Sequence, residues 1–487
     1  MSTKTDVLII GGGIAGVSIA RELSRYELDV MLIEKELDVG WGQTKASYAI
    51  CHPGARWTHG TLAQRMMVES HRIWDQLVDD LDIELARIGE LVLAFNEEEL
   101  RYIHSLKKQG EQNGIKGLEI LDRSEVLRLE PHVNPAVLAA LHMPTGGVFN
   151  PFEVVFAFYE NARANGVNML FGTEVTGILP QKGDFIVETP GEEIRATYMV
   201  NAAGLYAEKI AQMAGANHFS ISHETKSTCL ILDRCLGDIV HHIVTGVADP
   251  KGFSRFKVVM PTFHRNLLLY TPIPEPAKGI EDRAIEKRAL VLTLQSAKSL
   301  IPDIDFETHI IASFSGLTAR NNRGDFIIEA SQKHPAFINV ALPPPGITCS
   351  PAIGKQAVEL LRMAGLRLIE KSSFNPYRKK IKKIRDSSLT EIAELVHRNS
   401  RYGHAVCRCE NVSDAEIVDA IRRGAASLDG IKFRTRAGMG RCQSNFCGPE
   451  VAAILARELH QPYEKVTKKG PESVYVVKKN APRSHEH

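Results

Sequence analysis

The sequence lacks the features of a membrane, secreted or nucleic-acid-binding protein. Its longest apolar runs stay well short of the ~18 residues that a membrane span needs, so we expect no span. Residues 1–6 are polar and lack the layout of a signal peptide, which favours the cytoplasm and leaves only peripheral membrane association open. Basic and acidic residues balance, 59 against 58, which removes the main argument for a nucleic-acid partner.

Cysteine is also scarce. The chain of 487 residues holds eight cysteines, and four of them fall within residues 407–447. Without a secretory signal, this grouping indicates metal ligation rather than disulfide bonds. The remaining composition, 44% apolar and 24% charged, is that of a globular protein large enough for several domains.

A dinucleotide-binding fingerprint lies near the start of the chain. The apolar run 7–10 predicts a buried strand, and Gly11, Gly13 and Gly16 open a helix after it. Glycines at this spacing let backbone amides approach a pyrophosphate, and Glu34 after the next strand can accept hydrogen bonds from a ribose. The sequence shows no second such pattern, which argues against an NAD(P)H site and predicts another exit for electrons.

The segment 44–57 resembles the stretch that lies along the flavin in the glycine-oxidase/glycerol-3-phosphate-dehydrogenase superfamily, the D-amino-acid-oxidase-like fold. The resemblance implies FAD as cofactor, places His52 beside the flavin ring, and places residues 199–204 beside the adenine half. A neutral imidazole can take the hydroxyl proton when a secondary alcohol is oxidised. The alternative is that His52 is a structural histidine.

Two arginines are candidates for binding an anionic substrate. Arg56 follows His52 in a pattern that resembles glycerol-3-phosphate dehydrogenases, and a guanidinium suits phosphate or carboxylate equally well. Thr318 stands where the family usually has an arginine, so Arg320 or Arg323 could supply that charge from a shifted position. The alternative for Arg56 is a salt-bridged surface residue.

Further contacts to FAD come from the resemblance. Residues 345–352 resemble the family's loop at the pyrimidine end of the flavin, where amides at a helix start stabilise negative charge. The alternative there is an ordinary turn capped by Ser350. The additional FAD-binding residues that we expect are Thr44, Ser47, Val175, Ala203, Gly204, Gly346, Ile347 and Thr348.

Two cysteine pairs, Cys407/Cys409 and Cys442/Cys447, are the most specific signal in the chain. Four thiolates in two close pairs suit either zinc or a [2Fe-2S] cluster, and free thiols are the third alternative. The surrounding sequence, including Gly438 and Gly440, resembles the bacterioferritin-associated-ferredoxin-like (BFD-like) [2Fe-2S] domain. That resemblance favours the cluster, which can accept single electrons from a flavin.

The predicted fold class is α/β. A Rossmann-like FAD domain is interleaved with a mixed-sheet substrate domain, and a small helical [2Fe-2S] domain follows. The predicted oxidoreductase core is 1–370. Within it, nucleotide binding covers about 1–80, 145–215 and 310–370, and the substrate domain about 81–144 and 216–309. The linker is 371–400, the cluster domain is 401–460 and the tail is 461–487. The basic run 378–385 in the linker predicts a solvated connector or helix face, and the alternative is docking to an acidic partner or anionic lipid.

The resemblance implies an FAD-dependent dehydrogenase that oxidises sn-glycerol 3-phosphate, or a similar anionic 2-hydroxy compound, with hydride passing to flavin N5. His52, Arg56 and Arg320 are the expected catalytic residues, and electrons are expected to pass through the cluster to a partner subunit. The alternatives are a 2-hydroxyglutarate, amino-acid or amine dehydrogenase on the same fold, and an electron-transfer subunit without its own substrate.

Overall fold

A computed structural model describes residues 3–222, 225–247 and 256–476 of the chain. It divides into two units, of which the first contains Met1–Lys35 and Val39–Arg378 and the second contains Glu36–Asp38 and Lys379–His487. Residues 477–487 of the predicted tail lie outside the described residues. Among the helices that are described, none combines the length and apolarity needed to cross a bilayer.

The first unit is built on two large sheets. Its strands are β1 (Thr3–Ile10), β2 (Val30–Ile33), β3 (Ile50–Cys51), β4 (Leu85–Arg87), β5 (Glu90–Ala94), β6 (Glu119–Asp122), β7 (Ala139–Met143), β8 (Gly147–Phe149), β9 (Asn168–Leu170), β10 (Gly177–Pro180), β11 (Phe185–Glu188), β12 (Glu193–Asn201), β13 (Ile221–Ser222), β14 (Thr225–Leu232), β15 (Ile243–Val247), β16 (Phe256–Pro261), β17 (Leu267–Pro276), β18 (Ile310–Leu317), β19 (Arg320–Asn321), β20 (Ile327–Ala330) and β21 (Phe337–Ala341).

The helices of the first unit cover the sheets. They are α1 (Ile14–Leu23), α2 (Leu62–Leu81), α3 (Glu97–Gln112), α4 (Arg123–Leu129), α5 (Pro151–Ala164), α6 (Ala207–Met213), α7 (Lys287–Leu300) and α8 (Gly346–Met363). Helix α1 packs against both α5 and α8, and α2 packs against α8.

The nucleotide-binding sheet has a parallel centre in the order β21-β12-β1-β2-β9. Strand β2 and the second half of β1 are apolar and buried on both faces, as parallel strands between helices require. The hairpin β10–β11 and strand β20 extend this centre in antiparallel fashion. The predicted Rossmann-like domain is therefore confirmed at the level of the fold.

The second large sheet has the order β18-β14-β17-β16-β15-β5-β7-β6. Its strands pair antiparallel except for β15 and β5, which run parallel. The strands come from two separate stretches of chain, β5–β7 and β14–β18, so the predicted mixed sheet, interleaved with the nucleotide-binding sheet, is confirmed. Its core is formed by aliphatic side chains such as Leu91, Leu230 and Leu269.

The second unit is small and mainly helical, as expected. Its elements are α9 (Leu389–Arg398), β22 (Ala405–Cys407), β23 (Val412–Ser413), α10 (Asp414–Arg422), α11 (Leu428–Thr435) and α12 (Gly448–Glu458). Helix α10 begins with the capping box that Ser413 and Glu416 form. Buried Arg434 donates hydrogen bonds to Asp38, which ties residues 36–38 to this unit.

The predicted linker is more structured than its basic run suggested. Arg378 is buried and pairs with Glu153 and Glu160, so it is part of the first unit. Ile381 is buried in the core of the second unit, and Arg385 pairs with buried Glu410. Helix α9 also lies inside the predicted linker. Several charges of the run are therefore used in structural ion pairs rather than left in solvent.

Candidate functional site

The predicted FAD-binding residues gather at one edge of the parallel sheet. Ile10 is in register with Ile33 of β2 and with Asn201 of β12, and Ile33 is in register with Leu170 of β9. The loops that follow these four strands therefore lie side by side at the carboxyl ends of the strands. In open parallel sheets this is the position of nucleotide-binding crevices. The loops carry Gly11, Gly13, Glu34, Val175, Ala203 and Gly204, and Gly16 lies in the first turn of α1.

Gly11 and Gly16 of the fingerprint lie where a side chain would clash with the backbone. Gly11 has a φ of +106°, and a Cβ there would collide with the carbonyl oxygen of Ala202. A Cβ on Gly16 would collide with the carbonyl oxygen of Gly11. Gly13 is the N-cap of helix α1 and has no side chain that could accept from the amides of its first turn. The loop can thus take a pyrophosphate against the helix start, and the residues fit FAD.

Glu34 and Thr44 hold this loop in place. The Gly12 amide donates to Glu34 Oε2 at 2.7 Å, and the Ile14 amide donates to Thr44 Oγ1 at 3.1 Å. Ser47 accepts from the Ala49 amide at 2.9 Å and so shapes the turn before His52. Glu34 and Thr44, which follow strand β2, thus contact the glycine fingerprint directly.

The start of helix α8 joins the fingerprint to the His52 segment. A Cβ built on Gly346 would lie 3.8 Å from Ile14 Cγ2, which places the starts of α8 and α1 together. Thr348 Oγ1 donates to the Ile50 carbonyl at 3.1 Å and accepts from the His52 amide at 3.2 Å. Ser350 lies inside the helix rather than capping it, and its hydroxyl donates to the Ile347 carbonyl.

His52 is buried, with 8% of the residue exposed. Among the described residues its Nδ1 has no hydrogen-bond partner. Burial, together with the nearby charge of Arg56 and the ring of His71, lowers the pKa of His52 to about 3. The imidazole is therefore neutral at physiological pH and has an acceptor nitrogen available, which is what a proton acceptor needs.

Aromatic rings surround His52. The Tyr48 ring lies 6.2 Å from the imidazole and the Trp57 ring 5.0 Å from it, both edge-on. Tyr48 also stacks on Tyr270 of β17 at 4.7 Å. Burial raises the pKa of Tyr48, so the phenol stays protonated and can donate a hydrogen bond. Sequence reasoning missed Tyr270, because nothing in its strand distinguishes it from a core aromatic residue.

Arg320 lies within electrostatic reach of Tyr48 and Tyr270. It is half-buried, and burial lowers its pKa while the hydroxyls of Tyr270 and Tyr48 act on it electrostatically. Strand β19, which carries Arg320, pairs with β13 at Ser222. Arg323, the other sequence candidate, instead pairs with Glu329 on the exposed side. The structure thus brings Arg320, not Arg323, together with the tyrosines.

Arg56 is engaged by the protein itself. Its guanidinium pairs with Glu90, which is fully buried, and donates to Thr245 Oγ1 at 3.2 Å. It also lies over the Phe256 ring at 3.9 Å. Sequence reasoning missed Glu90, although a carboxylate at the start of the apolar run 90–94 signals a buried partner. The surface salt bridge considered as the alternative is not what the structure shows, because this pair is buried.

A network of hydrogen bonds and one ion pair holds the backbone at Cys51 and His52. His71 Nε2 donates to the His52 carbonyl at 2.8 Å. Arg87 donates to the Cys51 sulfur at 3.1 Å, and it pairs with Asp75 at 3.1 Å. These residues lie on helix α2 and strand β4, far from His52 in sequence, so no local pattern predicted their contact.

The four predicted cluster ligands converge in the second unit. The sulfurs of Cys407 and Cys409 are 3.9 Å apart, and those of Cys409 and Cys442 are 3.7 Å apart. Cys447 lies at the start of α12, and its thiol donates to the Cys407 sulfur. The turn between β22 and β23 brings the first pair close together, and Gly440 passes so close to Cys409 that a Cβ would touch its sulfur.

The electrostatics of the thiols fit a cationic iron centre. The Cys447 thiol and backbone amides of Gly438 and Glu410 donate to the Cys407 sulfur and lower its pKa to about 6. Burial and the adjacent sulfurs raise the pKa of Cys409 to about 12. Four such thiols cannot all ionise without a compensating cation, and thiolate ligation to iron supplies one. The residues therefore fit a [2Fe-2S] cluster.

Comparison with protein families agrees with both sites. Residues 6–360 match the family model described as FAD dependent oxidoreductase. Residues 405–457 match the model described as BFD-like [2Fe-2S] binding domain. The first match contains every residue that we placed at the nucleotide crevice, and the second contains all four cysteines.

Individual relatives extend this agreement. The chain is 39% identical over 459 residues to a glycerol 3-phosphate dehydrogenase of Caloramator mitchellensis, covering 93% of this chain and 94% of the relative. It is 24% identical over 501 residues to one of the subunits of the anaerobic glycerol-3-phosphate dehydrogenase of Escherichia coli K12, covering 94% and 89%. The structure of dithionite-reduced L-alpha-glycerophosphate oxidase from Mycoplasma pneumoniae with FAD bound is similar at a TM-score of 0.71 and 28% identity, covering 77% and 98%.

Proposed function

Because the chain belongs to the FAD-dependent oxidoreductase family and carries a BFD-like [2Fe-2S] domain, we propose that it is a dehydrogenase acting on sn-glycerol 3-phosphate. A relative that matches 93% of this chain over 94% of its own length is a glycerol 3-phosphate dehydrogenase. The substrate loses a hydride from C2 and a proton from its hydroxyl, which gives the ketone dihydroxyacetone phosphate. The 2-hydroxyglutarate and amine alternatives receive less support, because the relatives described above, which cover at least 77% of this chain, are named for glycerol 3-phosphate or glycerophosphate.

The observation that carries the chemistry is the state of His52. The imidazole is buried, neutral and has an unpartnered Nδ1 among the described residues. As the C2–H bond breaks, the hydroxyl oxygen must lose its proton, and the imidazole is the acceptor that we propose. Its pKa rises when a phosphate dianion binds nearby, because the negative charge stabilises the imidazolium. Protonation of His52 is thus coupled to substrate binding.

Arg320 is the side chain that we propose holds the phosphate. Its charge lies within electrostatic reach of Tyr48 and Tyr270, whose protonated hydroxyls can donate further hydrogen bonds. Arg56 forms an ion pair with Glu90. We therefore propose that Arg56 contributes mainly through its electrostatic field and by holding the wall of the pocket in place. In this proposal the Arg320 guanidinium faces the substrate, whereas the charge of the Arg56 guanidinium is balanced by Glu90.

FAD and the [2Fe-2S] cluster supply the redox chemistry that the side chains of the protein lack. When bound, FAD supplies the acceptor of the substrate hydride, and the [2Fe-2S] cluster supplies one-electron transfer. We propose that Gly11, Gly13, Gly16 and Glu34 hold the nucleotide half of FAD. Thr44, Ser47, Val175, Ala203, Gly204, Gly346, Ile347 and Thr348 line the remaining crevice in this proposal, and Cys407, Cys409, Cys442 and Cys447 hold the cluster.

The proposal also includes a partner that accepts the electrons. One relative is by name part of a multi-subunit anaerobic dehydrogenase, and the cluster domain needs an acceptor. We propose that the protein works on the cytoplasmic side, where glycerol 3-phosphate is available, and that any membrane association is through the partner.

An anaerobic bleaching panel tests the function. The FAD-loaded, cluster-loaded protein is mixed with sn-glycerol 3-phosphate, 2-hydroxyglutarate, proline or sarcosine, and the flavin absorbance is followed. We expect rapid bleaching with glycerol 3-phosphate alone. Bleaching by one of the other three, with none by glycerol 3-phosphate, would overturn the substrate. Bleaching by none of the four would favour a role in electron transfer only.

A further inference from the structure

The loop between the last two cluster cysteines presents an aromatic ring to solvent. Phe446 is 82% exposed, although it directly precedes the buried ligand Cys447. Exposing a large aromatic ring costs free energy that burial elsewhere would regain. The loop therefore holds the Phe446 ring in solvent, where it is available to an apolar pocket on another protein.

The backbone of this loop is held in an uncommon conformation. Gln443 and Ser444 both have positive φ, +49° and +71°, which side chains other than glycine rarely adopt. The Gln443 amide donates to the Gly440 carbonyl at 2.9 Å, and the Asn445 amide donates to the Cys442 carbonyl at 3.1 Å. The position of Phe446 is thus set by a strained, hydrogen-bonded loop rather than by a loose one.

Other apolar groups continue the surface around Phe446. Pro449 is exposed, and the Tyr463 hydroxyl donates to its carbonyl at 3.3 Å. The Tyr475 ring lies 6.4 Å from that of Tyr463, and a Cβ on Gly448 would lie 2.8 Å from the Tyr475 hydroxyl. We call Phe446, Pro449 and Tyr475 the Phe446 patch. It surrounds the start of α12, the helix that begins next to Cys447.

The module that bears the patch is positively charged. Residues 379–476 contain 18 Lys and Arg against 12 Asp and Glu, whereas the whole chain has a net charge of +1. Arg408 is exposed between two cluster ligands and makes no ion pair among the described residues. Arg441, next to Cys442, is also exposed. Charge of this sign attracts an acidic surface and raises the rate of encounter.

We propose that the Phe446 patch is the docking surface for the electron acceptor, a protein with an apolar pocket ringed by acidic side chains. This inference rests on the proposed function. Electron transfer weakens steeply with distance, and the patch adjoins the ligands Cys442 and Cys447. Each substrate oxidised releases two electrons, which two successive one-electron transfers carry across this surface. The two protons are released to solvent. Transient electron-transfer contacts are small, so one aromatic anchor can dominate their affinity.

Stopped-flow transfer to a protein acceptor tests the proposal. The fully loaded protein is reduced with dithionite, freed of excess reductant and mixed with oxidised plastocyanin, an acidic one-electron acceptor. We expect Phe446→Ser to lower the second-order rate constant at least about 10-fold, a loss typical of an aromatic hot spot. Raising the salt from about 20 mM to about 500 mM should slow the wild type as well.

Two controls isolate docking from other effects. Leu389→Ser removes another exposed apolar side chain, 87% exposed, from the same unit and should leave the rate unchanged. Transfer to ferricyanide, and the electron paramagnetic resonance spectrum of the cluster, should be unchanged in Phe446→Ser. Equal losses with plastocyanin and ferricyanide, no loss with either, or faster transfer to basic cytochrome c than to plastocyanin would overturn the proposal. Because dithionite supplies the electrons, a wrong substrate assignment does not affect this result.

Discussion

The two redox sites of this chain are assembled in opposite ways. The proposed flavin crevice draws on residues from Gly11 to Thr348, which the register of five parallel strands and the contacts of helix α8 bring together. The proposed cluster site consists of four cysteines within residues 407–447, supported by two short strands and the start of one helix. Function on the flavin side therefore depends on the whole first unit, whereas the cluster site is a local construction that could be lost without disturbing the crevice.

The largest effect expected is loss of the cluster in Cys442→Ser. A serine hydroxyl is a poor ligand for iron, so iron content should fall below about one-tenth of the wild-type value. Iron analysis and the electron paramagnetic resonance spectrum after reduction measure this. Flavin bleaching by glycerol 3-phosphate should stay within about twofold, because the crevice does not depend on these thiols.

Cys235→Ser provides the matched control, because it removes an exposed cysteine that lies outside the cluster and, in the part of the chain that the structure describes, forms no disulfide. It should change neither iron content nor bleaching. If Cys442→Ser abolished bleaching together with the cluster, the two sites would not be independent and the comparison would fail.

His52→Gln should give the next largest effect, on the flavin side alone. Glutamine keeps a polar side chain of similar size but cannot take the hydroxyl proton. The rate constant for bleaching by saturating glycerol 3-phosphate should fall by about 10²–10⁴-fold. The cluster spectrum should be unchanged. His59→Gln, an exposed histidine on the same stretch of chain, should keep the wild-type rate. A His52→Gln rate near that of the wild type would refute the proton-acceptor role.

Arg320→Met should weaken substrate binding rather than chemistry. A charge-assisted hydrogen bond to phosphate contributes about 1.5–3 kcal/mol, so KM for glycerol 3-phosphate should rise by about 10- to 100-fold. Arg323→Met is the control, because Arg323 pairs with Glu329 on the exposed side. Steady-state kinetics with ferricyanide separate KM from kcat. Similar KM values for the two variants would assign the phosphate to another group, and Arg56 would then be the next candidate.

The sequence predicts residues that act through local spacing, but it does not predict residues that act through long-range strand pairing. Gly11, Gly16 and the four cysteines act through local spacing, and the structure brings the sulfurs of Cys407 and Cys442 within 3.9 Å and 3.7 Å of the Cys409 sulfur. Tyr270 and Glu90 act through strand pairing across the second sheet, which no local pattern encodes. A basic run such as 378–385 predicts a solvated connector, but the burial of Arg378 depends on Glu153 and Glu160, more than 200 residues earlier.

The smallest expected effect is on the pH dependence of stability, and it concerns His52 on the flavin side alone. Folded His52 has a pKa of about 3 because of burial, whereas the unfolded side chain titrates near 6.5. Between these values the unfolded state binds more protons, so stability falls as the pH falls below about 6.5. From pH 7 to 5 this costs the wild type ~2 kcal/mol that His52→Gln should not lose. Urea unfolding of both proteins at the two pH values measures it, and parallel losses would show that His52 is solvated.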